Sequence, residues 1–283
     1  MYNEIDNNKK YMLGLQIYCV TDKKLDILEN TPINLCSVNN KILNTQYLNC
    51  NCKDNIFYKE KNYSELTFHY WYWKNMLNEN HNNWVGFSQK RRHWIKKNSI
   101  KKNINEKNFL DHLIFEPDPS WENFESIICE PIDISGVKKI KIIKRGWKNL
   151  VKNPSLLINR RKQNIKFHFD TFHGYGNLDK AIDMLDDQNK IKFREFVNSS
   201  TTYNPHIMVI SKPKILNLWF MSLFKWLAKC EKIFGIGNLK GYDHQRLYAY
   251  LAERYLSFWF KQHTKSLDWP WVFYDASMRK NLI

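Results

Sequence analysis

Residues 84–94 read Trp84-Val85-Gly86-Phe87-Ser88-Gln89-Lys90-Arg91-Arg92-His93-Trp94, a compact apolar run that leads into a group of cations. Short runs rich in aromatic and β-branched residues are typical of buried strands. In open α/β sheets, ligands bind in the crevice outside the carboxyl ends of the strands. The stretch therefore predicts a strand over 84–87 and, after it, an anion-binding loop over 89–92.

A helix is predicted before this strand, over 64–75. Ser64 is a candidate N-cap, and Glu65 suits the first turn because the helix dipole favours negative charge there. An apolar stripe at helical spacing follows, made of Leu66, Tyr70, Trp73 and Met76. We expect this stripe to pack on the sheet.

The rest of the chain alternates between strand and helix patterns. Further strands are predicted over 15–21, 34–38, 127–129, 139–143, 164–170 and 206–210. Helices are predicted over 178–185, 190–197, 214–234 and 243–263. Such alternation predicts an α/β fold.

The chain carries 44 Lys and Arg against 28 Asp and Glu, a formal net charge of +16. This excess predicts attraction to an anion: nucleic acid, a nucleotide sugar or acidic lipid head groups. Much of the excess is lysine scattered among asparagine over 96–103, which weakens the case for a dedicated basic patch.

The six cysteines have no metal-ligand spacing, since Cys50 and Cys52 are too close together and no second pair follows. They are typical of reduced cytosolic thiols. Residues 1–14 lack a secretory signal, and the apolar stretch 216–228 is too short to span a bilayer. We expect a cytoplasmic protein, soluble or bound to the membrane surface.

The loop over 89–92 is the first candidate for chemistry. Arg91 and Arg92 suit bidentate binding of a diphosphate, with Lys90 as a further cation. The alternative is a solvated basic turn. Its position directly after a buried strand favours the ligand site.

A second candidate is His168, Asp170 and His173, at the end of the predicted strand 164–170. These residues suit a divalent metal, or Asp170 acts as a base that a histidine orients. The ordinary alternative is a set of hydrogen-bonded loop residues.

The last predicted helix is a third candidate. Arg246, Tyr250 and Glu253 follow one face at i, i+4 and i+7, next to Arg254. They either reach a ligand site near the amino end of the helix or form a structural ion pair. Asp243 belongs to that site or is the N-cap.

The helix over 214–234 is rich in aromatic residues and flanked by lysines. Its rings suit an anionic membrane surface, with the ammonium groups among the head groups. Core packing is the favoured interpretation, because a helix that is apolar nearly all round is normally buried.

A series of short motifs runs through the first part of the chain: Asp54-Asn55-Ile56, Glu65-Leu66-Thr67, Tyr70-Trp71 and Trp73-Lys74-Asn75. The series resembles the opening signature of a bacterial glycosyltransferase family that is classed as a domain of unknown function, of the DUF4422 type, and found in capsule and lipopolysaccharide gene clusters. Its strand and His-Tyr-Arg-Arg loop are similar to Val85-Gly86-Phe87 with Arg91-Arg92, where Gln89 and Lys90 replace the His and Tyr. Later matches are His173, Asn204, Ile207-Met208, Arg246 and Glu253-Arg254.

The resemblance implies a GT-A-like, Rossmann-like fold: a mostly parallel central sheet flanked by helices in a single domain. It places a glycosyltransferase domain over 15–263, between a disordered or loosely packed segment 1–14 and a C-terminal tail 264–283. The implied reaction moves a sugar from a nucleotide-diphospho-sugar donor to a hydroxyl of a growing glycan (capsule, O-antigen or lipooligosaccharide). The acceptor is lipid-linked or a polysaccharide at the inner face of the cytoplasmic membrane.

The resemblance also implies residue roles. Donor-binding residues are Asp54, Asn55, Gln89, Arg91 and Arg92. The catalytic base is Asp170, His173 or Asp243. Residues for acceptor binding or support are Asn204, His206, Arg246 and Glu253.

Metal dependence is a separate expectation. In many GT-A enzymes an acidic metal motif neutralises the donor diphosphate, whereas this strand end carries Lys90, Arg91 and Arg92. We hypothesise that these fixed cations replace the metal, so no metal ligand is assigned. A manganese or magnesium cofactor is the alternative.

Two functions from other classes remain open. The net charge and the aromatic content of 15% suit single-stranded nucleic acid. The lysine-flanked aromatic helix suits a peripheral membrane protein without catalysis. The glycosyltransferase interpretation needs no nucleic acid, and it allows an anionic membrane surface as a partner.

Overall fold

The structure, a computed structural model, describes residues 14–39, 46–100, 102–135, 163–239 and 241–278. The side chains of Tyr242 and Asp243 are outside this description. The predicted strand over 139–143 and residues 1–13 of the predicted N-terminal segment also lie outside these ranges.

Most of the strands form one mixed sheet. The described strands are β1 (Leu15–Thr21), β2 (Asn34–Ser37), β3 (Leu48–Asn49), β4 (Trp84–Gln89), β5 (Arg92–Trp94), β6 (Ser126–Cys129), β7 (Ile132–Asp133), β8 (Thr202–Tyr203), β9 (Val209–Ser211), β10 (Ser266–Trp269) and β11 (Trp271–Phe273). The main path of the sheet runs β10-β6-β9-β4-β1-β2-β3. Along that path β9 is antiparallel to both β4 and β6, while the other pairs are parallel. The predicted α/β fold with a mostly parallel sheet is confirmed.

Helices cover the sheet and continue the alternation with strands. They are α1 (Glu60–Tyr63), α2 (Leu66–Asn75), α3 (Phe109–His112), α4 (Ile165–His173), α5 (Asn177–Ile182), α6 (Asp187–Ser199), α7 (Pro213–Phe234), α8 (Tyr242–Gln245) and α9 (Leu247–His263). No helix in the described ranges is long and apolar enough to cross a membrane.

The core lies on both faces of the sheet, because side chains alternate along each strand. From β1, Tyr18 and Val20 join a cluster built with α2, α7 and α9. Ile17 and Cys19, on the other face, join a cluster with Trp94 and shorter segments of the chain. The aromatic side of α7 belongs to the first cluster, so the core packing favoured for this helix is confirmed.

Ser64 does not cap α2, contrary to the sequence-based expectation. It ends α1 with a positive φ of 52°, and α2 begins at Leu66 without a side-chain cap at Glu65. The end of α1 and the start of α2 therefore meet at the position where the sequence predicted only the start of one helix.

The apolar stripe predicted on α2 does not face the sheet: its aromatic members Tyr70 and Trp73 pack on Phe224 of α7. Phe68 and Tyr72 of α2 contact Tyr18 of the sheet instead.

Residues 164–170 were predicted as a strand, and this is wrong. Ile165–His173 forms α4, which begins where Asn164 accepts a hydrogen bond from the Phe167 amide at 2.9 Å. Alternating Phe167 and Phe169 produced the strand pattern. Because α4 is also packed against α6 and α9, its polar positions are in contact with protein too, which hides the helical period.

The segment predicted as a C-terminal tail is part of the sheet. β10 pairs in parallel with β6, and β11 pairs with β5. Trp269 is only 1% exposed and donates its indole N–H to the Ile95 carbonyl at 2.9 Å. The sheet therefore extends beyond residue 263, because these short strands bury their aromatic residues against it.

Gly86 allows β9 to approach β4 closely. It pairs with Ile17 on one side and Ile210 on the other. A Cβ atom at Gly86 would lie 2.7 Å from Ile210 Cγ1 and 3.4 Å from Ile17 Cγ1. A larger residue would therefore push apart the middle of the sheet.

Gly86→Ala is expected to lower the free energy of unfolding by about 1–3 kcal/mol, the usual cost of overpacking a core. Gly237→Ala is the matched control, since nothing lies within 4 Å of a Cβ atom there. Urea denaturation of both variants measures the difference. Equal stabilities would contradict the close approach of β9.

Candidate functional site

A cleft of about 760 Å³ opens at the carboxyl ends of β1, β2 and β3. Asp22 follows β1, Asn39 lies just beyond β2, and Asn51 lies just beyond β3. The opposite wall comes from the segment around α1. Among the described residues, the cleft is lined by Asp22, Val38, Asn39, Asn51, Asn55, Phe57, Tyr58, Glu60 and Lys61. This is the edge where open α/β sheets bind ligands.

The two predicted nucleotide-side residues have different positions. Asn55 lines the cleft, but its amide donates to the Lys53 carbonyl and its Oδ1 accepts from the Phe57 amide. Asp54 is exposed and accepts a hydrogen bond from the Tyr70 hydroxyl at 3.3 Å. Asn55 thus shapes the cleft wall, whereas Asp54 connects this wall to α2.

The predicted basic loop is a tight turn between β4 and β5, with Gln89 and Arg92 inside the strands. Lys90 forms an ion pair with Asp22. The Arg91 Nε atom lies 2.7 Å from Asp275 Oδ2, and Arg92 donates to Gln89 Oε1 at 3.1 Å. The structure therefore does not gather the two guanidinium groups around one anion, because each is held by a different partner.

The C-terminal segment holds this turn in place. The Ala276 amide donates to the Lys90 carbonyl, and the Tyr274 amide donates to the Arg91 carbonyl. The His93 Nε2 atom lies 3.3 Å from the Lys90 carbonyl and 3.1 Å from the Tyr274 carbonyl, so this nitrogen carries the proton. The cations at the turn are thus fixed by bonds to their backbone.

A buried charged cluster lies next to the turn, around Glu253 of α9. Glu253 Oε1 accepts from the His206 backbone amide at 2.6 Å and lies 3.6 Å from His206 Nδ1. Its other oxygen pairs with Arg254, whose side chain is 2% exposed. Arg254 Nη2 lies 3.3 Å from His168 Nδ1, and its guanidinium lies 4.5 Å from the Tyr203 ring centre.

Both histidines of the cluster are neutral at physiological pH. Burial, followed by the charges of Arg92 and Arg254, lowers the pKa of His206 to about 2. Burial, followed by the charge of Arg254, lowers the pKa of His168 to about 3. Positive charge is therefore concentrated on the arginines.

Three buried polar atoms of this region lack a protein partner. His206 Nε2, Arg92 Nε and Arg254 Nε have no hydrogen-bond partner in the part of the chain that the structure describes. His206 also has a φ of 67°, in the left-handed region that non-glycine residues rarely adopt. Strain and unsatisfied polar groups of this kind concentrate at binding and catalytic sites.

One face of α9 connects the cleft to the cluster. Arg246, just before the helix, lies close enough to the cleft residue Glu60 to oppose the rise in the pKa of Glu60 that burial causes. Tyr250 stacks on His173, with ring centres 3.7 Å apart. Glu253 then lies in the cluster. Arg246, Tyr250 and Glu253 thus lead from the wall of the cleft past His173 to the cluster.

The predicted metal triad does not form, since His168 and Asp170 lie about 200° apart around α4 rather than on one strand face. Asp170 is buried, with Oδ2 2.8 Å from Lys166 Nζ and Oδ1 accepting from the Gly176 amide. Burial raises the pKa of this carboxyl, and Lys166 opposes the rise. Within the described ranges, no group of three or more His, Cys, Asp or Glu side chains is placed to hold a metal ion.

The remaining predicted residues divide by environment. Asp243 belongs to α8, and its side chain lies outside the described parts of the chain. Asn204 is fully buried and donates to the Cys129 carbonyl at 2.6 Å and to Asp268 Oδ1 at 2.7 Å. It also accepts from the Ser257 hydroxyl at 2.7 Å. Asn204 therefore joins β6, β10 and α9 and supports the site from behind.

The sequence of the chain matches a known protein family. A family model described as a domain of unknown function (DUF4422) matches residues 16–265. The chain belongs to the DUF4422 family. The resemblance inferred from the sequence motifs is thereby confirmed.

The fold of this DUF4422 protein is similar to that in the apo structure of the WbbM bifunctional glycosyltransferase, with a TM-score of 0.68 and 18% sequence identity. The match covers 92% of this chain and 45% of that chain, so this chain spans less than half the length of WbbM. No curated protein sequence matches it. At this identity the likeness establishes the fold.

Sequence reasoning missed several cleft residues, above all Asp22, Tyr58 and Glu60. Asp22 directly follows the first strand, which was predicted with its correct bounds. Because ligands of open α/β sheets bind at the carboxyl ends of strands, this position was a signal that could have identified it. Tyr58 and Glu60 had no such signal, because no strand or helix is predicted from the sequence between residues 38 and 64.

Glu253→Ala is expected to lower the free energy of unfolding by about 3–5 kcal/mol, because it leaves Arg254 buried without its carboxylate. The double variant Glu253→Ala/Arg254→Met should recover most of this loss. Glu195→Ala, at an exposed position of α6, is the control and should change stability by less than about 0.5 kcal/mol. Denaturant titration measures all three. A single variant as stable as the control would contradict the buried pair.

Acid is expected to destabilise the fold through its buried histidines. The pKa of a histidine in the unfolded chain is about 6.5. In the folded protein the pKa is about 3 for His168 and about 2 for His206, so both stay neutral to much lower pH. The unfolded chain therefore binds more protons, and stability falls as the pH drops below about 6.5 toward these folded values. His168→Gln should reduce the loss between pH 7.5 and pH 5 by about 2 kcal/mol, whereas exposed His81→Gln should not. Identical pH profiles for wild type and His168→Gln would refute this.

Proposed function

We propose that this protein transfers a sugar from a nucleotide-diphospho-sugar to a hydroxyl group of a growing surface glycan. The observation that carries this proposal is the cleft over the ends of β1–β3, whose residue Asp22 pairs with Lys90 of the cationic turn. Arg92 of the same turn lies near His206 of the cluster. Ligands of open α/β sheets bind at this edge. The family motifs and the fold shared with a glycosyltransferase support the same assignment.

The cleft suits the nucleoside part of the donor. Its volume of about 760 Å³ is within the usual range for sites of small ligands. Tyr58 lines it with a ring that is 76% exposed, a surface on which a base can stack. The carboxylates of Asp22 and Glu60 are acceptors for ribose hydroxyl groups.

The diphosphate is proposed to lie at Lys90 and Arg92, between the cleft and the cluster. Lys90 is paired with Asp22 of the cleft, and Arg92 is near enough to His206 to lower its pKa. Arg92 also has an unpartnered buried Nε atom. Arg91 was predicted at the diphosphate as well, but its Asp275 pair gives it a secondary role in this proposal.

The cations are proposed to stabilise the leaving group in place of a metal. The described residues do not fit a resident metal ion well, because the carboxylate at the end of β1, Asp22, is already paired with Lys90. In the transfer, the acceptor oxygen bonds to the anomeric carbon and the bond from that carbon to the diphosphate oxygen breaks. The electron pair leaves with the nucleoside diphosphate, whose added charge falls between Lys90 and Arg92.

The acceptor proton needs a base. His206 is the candidate that the geometry favours, since Nε2 has no hydrogen-bond partner among the described residues and the ring is neutral. Burial is the main cause of the low pKa of His206, and an anionic donor beside Arg92 offsets the smaller part that comes from the charge of Arg92. Asp170 is disfavoured because both of its oxygens are engaged, and His173 and Asp243 remain the alternatives.

A thermal-shift screen against nucleoside diphosphates and their sugars tests the proposal. One nucleotide should raise the melting temperature, and the rise should persist in EDTA. Arg92→Met and Lys90→Met should each weaken binding by at least about tenfold, about 1.4 kcal/mol. Lys97→Met, at an exposed position, is the matched control.

Two outcomes count against this function. A strict requirement for added manganese in binding and transfer would reject the cations as a substitute for a metal. Salt-sensitive oligonucleotide binding, without any response to nucleoside diphosphates, would replace the transferase proposal by the nucleic-acid-binding one.

A further inference from the structure

The outward side of α7 is a continuous stripe of lysine and apolar side chains. We define the α7 outer stripe as the exposed residues Lys214, Leu218, Met221, Lys225, Lys229 and Lys232. They recur every three or four residues, so they lie on one side of the 22-residue helix for almost its whole length.

The apolar members of the stripe are unusually accessible. Leu218 is 58% exposed and Met221 is 51% exposed, and both lie between lysines. Ile233, beside the last lysine, is 44% exposed. The aromatic side chains of α7 point the other way, into the core. The alternative in which these rings contact a membrane is therefore wrong.

The stripe contains no carboxylate. The acidic residue of α7, Glu231, is turned away and pairs with Lys59 and Tyr63. On one flank Glu79 bonds to Asn217. Positive charge therefore dominates the outer stripe along its length.

A tryptophan and a further lysine extend this surface. Trp73 of α2 is half-buried and donates its indole N–H to Asn217 of α7 at 2.7 Å. The Lys74 ammonium lies 3.6 Å from the centre of the Trp73 ring. Tryptophan and lysine are the residues that favour the boundary between lipid and water.

We propose that the α7 outer stripe docks this protein on a bilayer that contains anionic phospholipids. Lysines attract the acidic head groups, while Leu218 and Met221 enter the boundary between head groups and acyl chains. A nucleic acid matches the charge but offers no apolar layer for these two side chains. This inference stands whether or not the proposed sugar transfer is correct.

The carboxyl end of α7 lies near the cleft. The Lys59 Nζ atom lies 2.7 Å from Glu231 in the last turns of α7, and Lys59 is adjacent to the cleft residue Tyr58. Because Glu231 is turned away from the α7 outer stripe, the cleft and the stripe lie on different sides of α7.

Sedimentation of the full-length protein with phospholipid vesicles tests the proposal. The protein should bind vesicles of phosphatidylcholine with phosphatidylglycerol and should not bind vesicles of phosphatidylcholine alone. Lys225→Glu/Lys232→Glu should weaken partitioning by about tenfold or more, because reversing two charges repels the anionic surface. Leu218→Ser/Met221→Ser should weaken it several-fold.

Matched controls separate the stripe from general basicity. Lys97→Glu/Lys107→Glu changes the same charge elsewhere on the exposed surface, and Ile191→Ser removes an apolar side chain that is 61% exposed on α6. Both should partition like the wild type. Equal loss in these controls, equal binding to neutral vesicles, or oligonucleotide binding in place of vesicle binding would each overturn the proposal.

Discussion

The ion pair between the buried Arg254 and the partly buried carboxylate of Glu253 is the interaction on which the site depends. The two oxygens of Glu253 hold the His206 amide and the guanidinium of Arg254, which in turn reaches His168 on α4. A buried charge is costly unless it is paired, so these bonds fix α9, α4 and the segment before β9 relative to one another. The positive φ of His206 is tolerated because the surrounding contacts over-determine it.

The carboxyl edge of the sheet then becomes a row of fixed charges. Asp22 and Lys90 pair at the ends of β1 and β4, Arg92 follows in β5, and the Glu253 cluster lies beyond. The backbone of the turn at Lys90 is bonded to the C-terminal segment, so its cations need little reorganisation when a ligand binds. Preorganised charge of this kind is what stabilises a leaving diphosphate.

The hydrophobic pattern of the sequence predicted those helices and strands in which this pattern is regular. The strand at Trp84–Gln89 and the helix at Pro213–Phe234 were found from the sequence. Of the residues predicted on one helix face, Tyr250 and Glu253 lie on α9, whereas Arg246 lies just before it. The helix over Ile165–His173 was not found, because its contacts with other helices mask the helical period. The partners of the cations were beyond reach, since Lys90 pairs across 68 positions and Arg91 across 184. No local pattern records contacts of that separation.

The proposed function requires that a nucleoside diphosphate occupies the cleft and reaches the cations of the β4–β5 turn. This is tested by amide hydrogen exchange of the protein in EDTA, with and without a saturating nucleoside diphosphate. We expect slower exchange around residues 22–24, 55–61 and 89–92, with the α7 outer stripe unchanged. Unchanged exchange in those three segments, or protection that appears only when manganese is added, would contradict it.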